Sequence, residues 1–231
     1  MAKARTSDEV KKDIRDRIGR RAPFLHADKI ETEEALAKMT TFEGEIWAAA
    51  WNDLGARWEA RANTAEKAGD SAQAKTAFLK SYGYYGVARH PFPSTPGKIH
   101  GYKKTREMFL AASKYFDIPV EPVSIPFHDK MIVGHLRLPT KQPAPMIMHW
   151  GGIDNWKEER HSFGEAFVKE GWGCFIIDGP GTGECPMRAG PDAHDPPGAQ
   201  AAAVVPAAAR VGDQRVLHGL QRVAGLEDLH R

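Results

Sequence analysis

Pro145-Met146-Ile147-Met148-His149-Trp150 and Gly173-Cys174-Phe175-Ile176-Ile177-Asp178 are two short apolar runs, and Lys157 to Lys169 between them has helical spacing, with Phe163 and Phe167 expected to face inward. Short apolar strand, helix, short apolar strand is a βαβ unit, which requires a parallel sheet covered on both faces. Each run leads into a turn-rich loop. The first loop is His149-Trp150-Gly151-Gly152-Ile153-Asp154, and the second is Asp178-Gly179-Pro180-Gly181-Thr182-Gly183-Glu184.

Upstream of this unit the apolar period is two. Val123, Ile125 and Phe127 alternate with smaller or polar residues, and Ile132, Gly134, Leu136 and Leu138 do the same after His128-Asp129-Lys130, which predicts a hairpin. Further upstream, from about Ser7 to Phe116, the period is helical. Trp47, Trp51, Leu54 and Trp58 share one face; Gly69-Asp70 offers a stop and a new N-cap; Phe78, Tyr82 and Tyr85 form the next buried stripe. His90-Pro91-Phe92-Pro93 breaks that helix. Ser94-Thr95-Pro96 starts a third, with Tyr102, Phe109, Ala112 and Phe116 facing inward. Aromatic stripes at this spacing are read first as core.

Downstream the alphabet collapses. From Ala189 to Arg231 there is no Ser, Thr, Asn, Lys, Ile, Phe, Tyr, Trp, Met or Cys. A segment so poor in large apolar groups is expected to be an Ala/Pro-rich tail that folds no core of its own. The same small alphabet is what a GC-rich gene yields when translated out of frame, and that origin is the expectation favoured here.

The whole chain has 231 residues and a formal net charge of +2, so no polyanionic partner is implied. The start lacks an apolar signal core and no apolar run reaches spanning length, which gives the expectation of a cytoplasmic protein with no membrane partner. Cys174 and Cys185 bracket the second loop without Cys-x-x-Cys spacing and read as two reduced thiols.

The loops carry the chemistry. Backbone N–H groups aimed at a developing oxyanion are a main electrostatic device of acyl-transfer enzymes, and a Gly-Gly pair after a strand lets the backbone present them. The second loop is not a phosphate cradle. No Lys-Ser/Thr follows its last glycine, and Gly179, Gly181 and Gly183 do not fit Gly-x-Gly-x-x-Gly. The histidines lack metal-ligand spacing, so neither metal nor cofactor is expected. The basic stretch from Lys98 to Arg106 reads as the solvated side of a helix, and nucleic acid is not an expected partner.

Three segments taken together are more specific: Ser81-Tyr82-Gly83-Tyr84-Tyr85-Gly86 with His90-Pro91, the Gly151 to Glu159 run, and Asp178 to Glu184. They resemble the FrsA-like α/β hydrolases with an N-terminal helical cap, a group that includes esterase-like members, the dihydroxypseudooxynicotine hydrolase and fungal polyketide-shortening hydrolases. The resemblance covers roughly Phe42 to Pro191. It implies an α/β fold with a helical cap over residues 1–118 and the first part of an α/β-hydrolase sheet over 119–188, which leaves the low-complexity tail over 189–231. It further implies oxyanion donors at Gly151, Gly152 and Ile153, a substrate pocket shaped by Tyr84 and Tyr85, and a small-molecule ester or ketone as substrate of full-length relatives.

From that family the chain departs at the nucleophile. The resemblance implies a serine in a Gly-x-Ser-x-Gly elbow after a fifth strand, but the last serine here is Ser162, in a helical setting, and no acid or histidine in the tail completes a triad. The expectation is therefore a serine-hydrolase relative, truncated or frameshifted, with no catalytic residue and no activity of its own. Loss of the fifth strand would also leave an apolar strand edge prone to self-association. The alternative is a helical-repeat module: Trp58 to Ala88 resembles a tetratricopeptide unit, although no second copy follows at a period near ~34 residues.

Overall fold

Helix α1 (Ser7–Arg17) opens on a capping box in which Thr6 and Glu9 exchange side-chain and backbone bonds. The computed structural model describes residues 6–127, 130–141, 143–152, 155–179 and 181–185. The segment 189–231, and with it the expectation of a coreless tail, lies outside the described residues.

After a short 3₁₀ turn (Phe24–His26) come α2 (Lys29–Lys38), α3 (Gly44–Lys67), α4 (Ser71–Arg89) and α5 (Pro96–Ser113). The expected punctuation is where the residues put it. Gly69 takes a φ of +75° between α3 and α4, and the Asp70 side chain accepts from the Gln73 N–H at 2.9 Å, capping α4. Two apolar cores form around α4. One gathers Phe24, Leu36, Trp51, Leu54 and Tyr84; the other gathers Ala62, Phe78, Tyr82, Tyr85 and Phe109. Helix α4 is thus buried on every side from Ser81 to Arg89, beyond the single stripe of the sequence reading.

The strands are β1 (Glu121–Phe127), β2 (Lys130–Arg137), β3 (Met146–Trp150) and β4 (Gly173–Ile177), in the order β1-β2-β4-β3. The hairpin pairs β1 with β2 antiparallel; its turn residues 128 and 129 lie outside the described residues. β3 and β4 pair parallel, as the βαβ reading requires, while β2 and β4 pair antiparallel, so the sheet is mixed. Among the described residues β3 is an edge strand, and Trp150 at its end is 59 % exposed.

Two expectations are corrected here. Gly134 to Arg137 are all buried, so β2 is covered on both faces: His135 stacks on Phe109 of α5 at 5.2 Å, and Arg137 donates to the Ile118 carbonyl. The helical run between β3 and β4 consists of a 3₁₀ turn (Lys157–Arg160) followed by α6 (His161–Lys169), and Phe163 does not point inward. Gly164 and Val168 form the buried face, because the missing side chain at Gly164 lets α6 lie against Cys174 and Ile176, while Phe163 is 41 % exposed and stacks on His149 at 4.2 Å.

Candidate active site

Parallel pairing brings the two glycine-rich loops together. Trp150 is the register partner of Ile177, so the residues that follow each strand leave the sheet side by side at its carboxyl end, the edge where α/β proteins build sites. What holds them there is Lys157. Its backbone N–H donates to Asp178 Oδ1 at 2.9 Å and its ammonium donates to Asp178 Oδ2 at 2.7 Å. The same oxygen accepts from the Glu184 N–H at 3.1 Å, closing the second loop onto its own first residue.

The ammonium also lies 2.6 Å from Glu184 Oε2 and 2.8 Å from Glu158 Oε1. Glu158 Oε1 accepts no hydrogen bond, so it acts on the ammonium through charge alone. Lys157, Glu158 and Asp178 are all buried. Burial by itself would pull the Lys157 pKa down; Glu158, Asp178 and Glu184 around it outweigh that and hold it well above the ordinary lysine value. Arg106 of α5 pairs with Glu184 and adds a second cation from the helical side. Removing one partner from such a cluster leaves uncompensated buried charge at about 3–5 kcal/mol, against about 0–1 kcal/mol for an exposed pair.

A second polar tie runs parallel to the first. Arg89, at the end of α4, lies 2.7 Å from Glu159 and spreads its guanidinium 3.9 Å above the Trp156 ring, and Tyr102 meets the same ring edge-on at 4.6 Å. Burial raises the Glu159 carboxyl, with Arg89 opposing. Lys98 donates to the His90 carbonyl at 2.8 Å and is buried. The Lys98 to Arg106 stretch is therefore a solvated side only in part: Lys103 is exposed, while Lys98 and Arg106 turn inward, each toward an acceptor.

Gly183 shows why the second loop needs its glycines. It adopts a φ of +53°, and a Cβ there would fall 2.2 Å from the Asp178 carboxyl carbon, so any other residue would push the carboxylate off Lys157. Cys174 and Cys185 are free, buried thiols, and the Cys185 sulfur accepts from the Val133 N–H at 3.3 Å.

Of the expected oxyanion donors, Gly151 is half-buried and Gly152 is exposed, with open space where its side chain would be; no hydrogen bond to the Gly152 N–H occurs among the described residues. Ile153 lies outside the described residues. Tyr84 and Tyr85 both reach into the helical layer. The Tyr84 hydroxyl accepts from the Asp28 N–H at 3.0 Å and donates to Glu31, while that of Tyr85 donates to Glu59 at 2.8 Å. From α4, Arg89 meets Trp156 and Glu159, and Tyr82 meets the His161 ring of α6 edge-on at 6.1 Å. The separation of seven between Tyr82 and Arg89, two helical turns, was the available signal.

No protein-family model matches the chain. Among curated proteins it is 30% identical over 161 residues to an α/β hydrolase of Penicillium citrinum, covering 66% of this chain and 38% of that one. It is 28% identical over 180 residues to a 20-hydroxy-prefusarin hydrolase of Gibberella moniliformis, covering 73% and 42%. Its fold is similar to the crystal structure of the 2,6-dihydroxy-pseudo-oxynicotine hydrolase, with a TM-score of 0.58 at 18% identity over 70% of this chain and 46% of that one. The chain is an α/β-hydrolase family protein. AbyA5 gives a TM-score of 0.57 at 19% identity over 78% and 47%. This α/β hydrolase chain spans about two fifths of the length of the curated relatives it matches. Those relatives are hydrolases, and nothing favours the tetratricopeptide alternative. No helix of the described residues is long and apolar enough to cross a membrane.

Proposed function

We propose that this chain carries the oxyanion half of a serine-dependent acyl-transfer site, from a lineage that hydrolyses a small-molecule ester or an activated carbon–carbon bond of a ketone. The observation that carries the reading is the pair of strand-end loops pinned side by side by Lys157 and Asp178, with Gly152 exposed and its N–H in no hydrogen bond with a described residue. Gly151, Gly152 and Ile153 supply the donors in this reading. Residues 1–118 form the cap and 119–188 the first part of the catalytic sheet, with 189–231 contributing no catalytic group. Neither nucleic acid nor membrane is a partner, the protein works in the cytoplasm, and the open β3 edge drives self-association.

The 231 residues contain seven serines, and none stands in a Gly-x-Ser-x-Gly elbow. Ser162, the last, is an exposed residue in the first turn of α6. Turnover therefore needs a nucleophile that these residues do not supply. The test is hydrolysis of p-nitrophenyl esters by the purified chain, with the uncatalysed background rate as the expected result. A saturable rate abolished by Ser162→Ala would overturn it.

A further inference from the structure

A cleft of about 300 Å³, counting its open mouth, lies where the turn before α2 meets α4 and the Lys157–Arg160 turn, and no described residue of the glycine loops lines it. Pro23 and Leu25 form its apolar wall, Gly86 part of its floor, and His26, Tyr82 and Glu159 its polar groups. Leu25 is 41 % exposed at the rim.

The polar groups are not spent on one another. Tyr82 is buried, with its ring packed 5.4 Å from both His26 and Phe109, yet its hydroxyl makes no hydrogen bond with any described residue. The His26 imidazole likewise has no hydrogen-bond partner among them, although its ring stacks on His161 at 6.0 Å. Burial lowers its pKa to about 4, so at neutral pH it offers one donor and one acceptor without charge. Glu159 is already matched by Arg89 at 2.7 Å and by the Trp156 N–H at 2.8 Å. Hydrogen-bonding groups that open into a cleft beside an apolar wall offer contacts to a ligand of complementary shape and polarity.

We infer that this cleft binds a small, uncharged, hydroxyl-bearing aromatic ring, held by the Tyr82 hydroxyl and the His26 imidazole against Pro23 and Leu25. Charge selects the class. An anion meets the Glu159 carboxylate where no lysine or arginine lines the cleft, and an ammonium gains little from a carboxylate that Arg89 already neutralises. Size selects one ring, because the enclosed base of the cleft holds about one water and the rest is open mouth. The inference stands whether or not the chain takes part in hydrolysis.

The test is a titration of the full chain with phenol, benzoate, benzylamine and toluene, followed by ligand-observed NMR. Phenol is expected to bind saturably with a dissociation constant on the order of 1 mM, as suits a ligand of few atoms in a shallow site. Benzoate and benzylamine are expected to bind at least about tenfold more weakly, the value of a group left unpaired. Tyr82→Phe removes only a hydroxyl that has no protein partner, so the variant is expected to melt like the parent, to bind phenol about fivefold to tenfold more weakly, and to bind toluene unchanged. Leu25→Ala, at the exposed rim, is expected to weaken phenol and toluene alike. The inference is overturned if phenol shows no saturable binding, if benzoate or benzylamine binds as tightly, or if Tyr82→Phe leaves phenol affinity unchanged.

Discussion

Replacing Lys157 by Met removes the cation shared by Glu158, Asp178 and Glu184 while keeping most of the side-chain volume. Arg106 still serves Glu184, but Glu158 and Asp178 are 2 % and 1 % exposed and lose the ammonium beside them. Stranding one buried charge costs about 3–5 kcal/mol, and protonation of one carboxyl caps the sum, so a loss of about 4 kcal/mol at pH 7 is expected. For a cooperative unit of this size that is a fall of roughly 8–16 °C in melting temperature. The assay is calorimetry of Lys157→Met beside Arg15→Ala, which breaks a half-exposed pair with Glu33 and should cost far less. Amide exchange at Gly151, Gly152 and Glu184 should accelerate in the first variant alone, because the Lys157–Asp178 bonds join those loops. Equal, small losses in both variants would refute the claim that this ammonium holds the site together.

Burial holds the pKa of His26 down near 4 and lowers those of His135 and His161, so the folded chain resists protons that the unfolded chain accepts at about pH 6.5. Stability should be full above that value and fall as the pH drops toward 4, with about 3 kcal/mol due to His26; urea titrations should show a shallower slope for His26→Gln, and an unchanged slope would contradict the assignment. Trp150→Lys places a charge on the open end of β3 and should lower the associated fraction seen by light scattering, whereas a monomeric parent chain would remove the premise.

The fold was legible where local chemistry acts alone. Gly69-Asp70 and His90-Pro91 mark helix ends by backbone rules, and the two apolar runs with their intervening helical stretch announce the parallel pair β3 and β4. The site was legible only in outline. Lys98, Arg106 and Lys157 are residue types that usually face water, and their burial depends on acceptors distant in sequence, which a periodicity cannot reveal. Phe163 went outward for a related reason: the pattern favours the larger apolar residue as the inward one, while the packing against Cys174 and Ile176 required the glycine beside it. Tyr84 and Tyr85 were recognisable as part of a motif, but only the positions of Glu31 and Glu59 show where their hydroxyls go.

The most direct test of the central claim, an α/β-hydrolase scaffold with a proposed oxyanion loop and no nucleophile elbow among its 231 residues, is intact-mass measurement after incubation with a fluorophosphonate probe. The account predicts an unshifted mass for the folded chain, because none of its seven serines sits in an activating elbow. Stoichiometric addition of one probe to one serine would contradict it.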